Sequence, residues 1–137
     1  MDLPICEFHQ GDWLIPYDSD TPDQIYSVSF QEEMAGIWPI IQFRNNRNVA
    51  WTYPSYCRQI ELTEDFFQNN GFDYSPFSSG SYDYKDEDGN KLSFAKINGN
   101  NYWNCYFNDL LIPGKIEYVD DVQRMFRTFK IKKNFVL

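Results

Sequence analysis

The segment from Tyr82 to Phe107, YDYKDEDGNKLSFAKINGNNYWNCYF, carries two hairpin turns. They are Asp88-Gly89 and Asn98-Gly99, where Asn, Asp and Gly tolerate the positive φ of a tight turn. Leu92 and Phe94 alternate with polar neighbours between the turns, and Trp103, Cys105 and Phe107 do so after the second. Alternation broken by two tight turns predicts an antiparallel meander. The acids of DEDGN also suggest a calcium loop. With Gly89 at its sixth position, the first ligand would be Tyr84 and the twelfth Ala95, and neither can ligate calcium in the required way.

The flanks of the meander read as helices. In KIEYVDDVQRMFRTFKIKK, Lys115 to Lys133, the residues Tyr118, Val122, Met125 and Phe129 recur at helical spacing, and Val119 and Phe126 widen the stripe. Asp120 and Asp121 stand in the first turn and Arg127 and Lys130 in the last, as the helix dipole favours. Asp120 is also placed to reach Arg124 one turn on. The apolar face is expected to cover the meander, and the weak alternation of KIKKNFVL predicts a last strand. Upstream, LTEDFFQNNGF predicts a short helix. Thr63 is its expected N-cap, Leu62 and Phe67 form a hydrophobic staple, and Asn70-Gly71 ends it. DYSPFSSGS, residues 73–81, reads as a loop between two halves.

The first sixty residues read as short strands. ICEFHQGDWLIPY is a strand interrupted at Gly11-Asp12, and DSDTPDQ is a turn. QIYSVSF alternates, with Tyr26, Val28 and Phe30 on one face. GIWPIIQF is apolar on both faces, but Pro39 lacks a donor and marks an edge or a bulge. RNNRN is a turn, VAWTY a strand, and CRQIEL a further strand with Ile60 and Leu62 inward. The expected class is α+β: a small antiparallel β-barrel or curled sheet (SH3-like in size), then a short helix, a β-meander and a C-terminal amphipathic helix. The expected division is a β-rich subdomain over 1–62 and an α+β subdomain over 63–137 packed against it.

Charge and residue supply exclude several functions. The net charge is −8, and residues 1–43 hold eight acids and no Lys or Arg. All twelve bases lie beyond that point, and only bases follow Asp121. Direct binding of nucleic acid is disfavoured, because phosphate recognition needs a basic stripe. Cys6, Cys57 and Cys105 lie about fifty residues apart without a C-x-x-C pair, so they read as reduced, packed thiols. His9 is the one histidine, which leaves a zinc site or a histidine-based triad without its usual spacing. No apolar run reaches a membrane span, and MDLPICEFHQ lacks the features of a signal peptide, so a cytoplasmic protein is expected.

Three motif words, GDWL at Gly11 to Leu14, IELTEDFFQNNGF at Ile60 to Phe72 and KIEYVDDVQRMF at Lys115 to Phe126, resemble a family of small uncharacterised proteins of gut Bacteroidetes and their prophages. The family patterns are I-x-L-T-E-E…G-F and I-K-Y-V-H-x-L-Q-N. Here Asp120 stands at the family's His and Arg124 at its Asn. The resemblance implies a mobile-element or phage setting and carries over no activity.

The expected function is a non-enzymatic protein-binding module with a protein partner and no cofactor. Its expected surface uses aromatics among Trp13, Tyr17, Trp38, Trp51 and Tyr53, ringed by Asp18, Asp20 and Asp23. Three alternatives stand beside it. One is an acidic inhibitor or immunity-type protein that blocks a basic surface of a nuclease or defence protein. The second is a phage structural or assembly protein, and the third a hydrolase using carboxylates. The hydrolase is the weakest, since Asp86, Glu87 and Asp88 fall in a turn tip where carboxylates stay solvated.

Overall fold

The computed structural model describes residues 6–17, 19–45, 51–76, 80–96 and 99–137. The chain divides into two compact units, Met1–Ile60 and Glu61–Leu137. Leu62 belongs with the second, where its N–H donates to the Glu117 carbonyl beside the Glu61–Tyr118 bridge.

The first unit holds β1 (Trp13–Leu14), β2 (Asp23–Glu33) and β3 (Gly36–Phe43), paired antiparallel in the order β1-β2-β3. Pro39 lies on the outer strand β3, where a missing donor is tolerated. A bulge between Ile25 and Ser27 breaks the alternation of β2. Ile25 pairs with Phe43 and Val28 with Ile41, so Ile25 takes the inward place expected for Tyr26, and Tyr26 is exposed. Leu14, Ile25, Ile41 and Phe43 form the core, with Phe8, Val28 and Cys57 packed against it.

No barrel closes among the described residues. Thr52 and Ile41 exchange backbone hydrogen bonds at 2.8 and 3.0 Å, and Arg58 and Ile15 do so at 2.8 and 2.9 Å. The segment between them is thus tied to both edges of the sheet at one residue each. It cannot extend either ladder, because Pro54 opens a 3-10 turn, Pro54–Tyr56, in the middle. The strands expected from VAWTY and CRQIEL are therefore isolated bridges at Thr52, Arg58 and Glu61. Val49, Ala50 and most of the RNNRN turn lie outside the described residues.

The second unit is a meander between two helices. Helix α1 (Glu64–Asn69) precedes β4 (Asp73–Ser75), β5 (Ser81–Lys85), β6 (Lys91–Lys96), β7 (Trp103–Phe107) and β8 (Leu110–Ile116); α2 (Val119–Thr128) follows. The sheet order is β4-β5-β6-β7-β8, all antiparallel. Asp86 organises the β5–β6 turn, its Oδ1 accepting from the Asp88 and Asn90 N–H groups. Asn98 of the next turn lies outside the described residues. Two strands depart from the sequence reading. DYS pairs with β5, and LLIPGKI pairs with β7 through a two-residue turn in which Asn108 and Asp109 have φ of 48° and 70°.

Phe67 is the hub of this unit. It is fully buried and meets the rings of Phe66, Phe72, Tyr82, Phe94 and Trp103 at centroid distances of 5.0 to 5.7 Å. Thr63 caps α1 without a side-chain hydrogen bond. The helix ends in a Schellman motif instead: the Phe72 N–H donates to Phe67 O at 3.1 Å, and Gly71 takes φ 76°. In α2 the buried apolar residues are Val119, Val122 and Phe126, and Asp120, Asp121 and Gln123 are buried beside them, while Phe129 stacks on Phe107 at 4.1 Å. Arg124 pairs with Asp121 at 2.6 Å. The last segment forms no strand. Ile131 and Phe135 are buried, and the Asn70 amide holds Val136 by accepting from its N–H at 2.8 Å and donating to its carbonyl at 2.9 Å.

Candidate functional site

The segment that fails to close the sheet builds one wall of a cavity in the first unit. The cavity has a volume of about 600 Å³. Ile37, Trp38 and Pro39 of β3 form one side, and Tyr53, Pro54 and Ser55 form the other. Leu14 and Cys57, both part of the core packing, also line it, together with Cys6, Glu7, Phe8 and Gln59. Trp38 lies on the outer strand and remains 44% exposed. The lining is mostly apolar with a few polar groups, which is the usual character of a binding cleft.

Beside this groove lies a short run of tyrosines, of which Tyr17 and Tyr56 are exposed and Tyr53 is half-buried. Tyr53 meets Tyr56 edge-on at 5.5 Å, and Tyr56 meets Tyr17 at 5.9 Å with the planes tilted by 49°. Tyr17 is 69% and Tyr56 59% exposed. The Tyr53 hydroxyl donates to Glu33 at the end of β2, which fixes the ring that groove and platform share.

The expected surface residues scatter. Trp38 and Tyr53 line the groove, and Tyr17 joins the platform. Trp13 is half-buried on β1 opposite Gln24, and Trp51 is exposed next to the Thr52 bridge. Asp20 is exposed and pairs with Arg58 at 3.2 Å. Asp23 is buried: its carboxylate accepts from the Gln24 N–H at 2.8 Å and from the Asn45 side-chain amide at 3.1 Å. It latches the chain after β3 to the start of β2, and so is no part of an outer acidic rim. Asp18 lies outside the described residues.

The residues missed in the sequence are Phe8, Ile37, Pro54 and Tyr56. The available signal was YPSY, Tyr53 to Tyr56, where a proline between tyrosines favours a turn that turns both rings outward.

Burial pushes the Cys57 thiol up, opposed in part by a hydrogen bond from the Tyr17 backbone, so the thiol stays protonated at neutral pH. A shallower cleft of about 430 Å³ shares Cys6 and Phe8 with the groove and includes His9. The His9 backbone N–H donates to Asp12 at 3.0 Å. Among the described residues no group of three or more His, Cys, Asp and Glu side chains could hold a metal ion. Among them, too, no helix is long and apolar enough to cross a membrane. Comparison with protein-family models, curated proteins and solved structures finds no match to this chain.

Proposed function

We propose that the protein is a non-enzymatic protein-binding module whose first unit receives an apolar segment of a partner protein flanked by basic residues. The groove walled by Trp38 and Tyr53 is the observation that carries this reading. Exposed Trp and Tyr supply large contact area at low entropic cost, and such residues dominate binding energy when a partner covers them. Charge favours basic flanks: the first 43 residues hold no base, and Glu7, Asp20, Glu32 and Glu33 are exposed. The same charge disfavours nucleic acid as ligand. The likeness of the motif words to prophage-borne proteins adds a phage or mobile-element setting to the proposal.

Selection from a random peptide display library tests it. The expected outcome is enrichment of apolar peptides with Lys or Arg flanks, whose binding falls at least about tenfold on Trp38→Ala, the loss of a hot-spot aromatic. Absence of enrichment, or binders indifferent to Trp38→Ala and Ile37→Glu, would contradict the reading.

A further inference from the structure

We infer that the ligand class of this groove is a polyproline II segment with a basic residue at one end; the inference rests on the binding-module reading above. Three ligand conformations compete, and the geometry separates them. An added β-strand needs an open edge with a full set of donors and acceptors. On β3 the Ile41 backbone is already bonded to Thr52, and Pro39 has no N–H to offer. Recognition here must run through side chains. An α-helix is about 10–12 Å across with its side chains. It would ride over notches set by ring spacings of 5.5 and 5.9 Å without filling them.

A polyproline II segment fits both conditions. Its prolines carry no donors, its backbone makes no internal hydrogen bonds, and it is ordered before it binds. Aromatic-lined grooves are the usual receptors for it. The rings of Tyr17, Tyr56 and Tyr53 are tilted or edge-on to each other, which leaves V-shaped notches that a pyrrolidine ring can enter. Each ring step, 5.5 or 5.9 Å, is close to the rise of two residues of the ligand, about 6 Å. Trp38 and Pro39 continue the apolar track into the groove. The acids Glu7, within the groove, and Glu33, at the Tyr53 hydroxyl, supply the counter-charge for a Lys or Arg at the ligand's end.

The test is a fluorescence or calorimetric titration of the full chain with a synthetic peptide of Pro-Pro-Leu triplets ending in two arginines. Saturable binding is expected. It should weaken at least about tenfold when the prolines become alanines, and similarly with Tyr56→Ala. Tyr56→Phe should bind within about twofold of the parent, because the ring supplies the contact. Replacing the arginines with glutamates should weaken binding and reverse its salt dependence, because salt then screens a repulsion. Circular dichroism of the variants separates lost binding from lost fold, and the exposure of Tyr56 predicts that the fold is kept. No saturable binding, equal binding of the alanine peptide, or indifference to the Tyr17→Ala/Tyr56→Ala double variant would overturn the inference. If display selection yields proline-free ligands that depend on Trp38, the binding module stands and the polyproline class falls. If it yields no ligand dependent on the groove, both fall.

Discussion

Asn70 shows how much one side chain carries. Its buried amide donates to the Phe66 carbonyl at 2.8 Å and pairs in both directions with the Val136 backbone. It does for the last residues what a neighbouring strand would have done. Asn70→Ala should cost about 1–3 kcal/mol, as expected for stripping partners from a pinned backbone, measured as a shift in urea midpoint. Cys105 gives the pH prediction. Burial pushes its thiol up to about 12 from an ordinary 9.0. The folded chain keeps this proton between those values while the unfolded chain loses it. Stability is therefore whole below the ordinary value and falls through the window, by at most about 1.4 kcal/mol per pH unit. Wild type should lose more stability between pH 8 and pH 10 than Cys105→Ala does, and equal losses would count against the burial account. At this scale the sequence was legible for apolar residues and less so for acids. Asp23 looks like any surface acid until Asn45 is brought beside it, twenty-two positions away.

At the scale of elements, the two ends of α2 behave differently. Asp121 caps the start, with Oδ2 accepting from the Glu117 N–H at 2.9 Å and the Tyr118 N–H at 3.0 Å. The far end closes with Lys130 at φ 57°, as the Ile131 N–H donates to Phe126 O at 2.9 Å. A side chain in that left-handed place is strained where glycine is not. Lys130→Gly should therefore stabilise the protein by about 0.5–1 kcal/mol in thermal or chemical unfolding; a loss of stability would show that the Lys130 side chain makes contacts that outweigh the strain. The helix was readable from its apolar spacing. The buried side is rotated toward Val119, Val122 and Phe126, because Ile131 and Phe135 pack as well, and Phe135 meets Phe126 edge-on at 4.9 Å. Lys133 in this segment sits over the Tyr84 ring at 4.9 Å, and desolvation lowers its pKa. The meander was legible because Asp-Gly and Asn-Gly separate its alternating runs in the sequence. The β7–β8 turn was not, since Asn108-Asp109 reaches positive φ without glycine. Nor was β8, which contains Pro113 and Gly114, residues that a strand tolerates here because it lies at the sheet edge.

For the whole molecule, the division into two units places the large aromatic core and the groove in different stretches of the chain. The aromatic core around Phe67 belongs wholly to 61–137. Phe67→Ala should cost about 3–5 kcal/mol, the usual range for a buried aromatic cut to alanine, read by calorimetry. The first unit has the smaller core, and its sheet stays open where Pro54 interrupts the returning chain. That opening creates the groove, so the candidate site follows from the same departure that defeated the barrel expectation. Sequence alone marked Trp38, Tyr53 and Tyr17 as aromatics of interest. It did not join them, because the joining depends on two single-residue bridges that leave no periodic trace. The indole N–H resonances of the four tryptophans report on both units at once, since Trp13, Trp38 and Trp51 lie in the first and Trp103 is buried in the second. Titrating labelled protein with a display-selected peptide should move the Trp38 signal saturably and leave Trp103 in place. A Trp103 signal that moves while Trp38 stays still would contradict the assignment of binding to the groove.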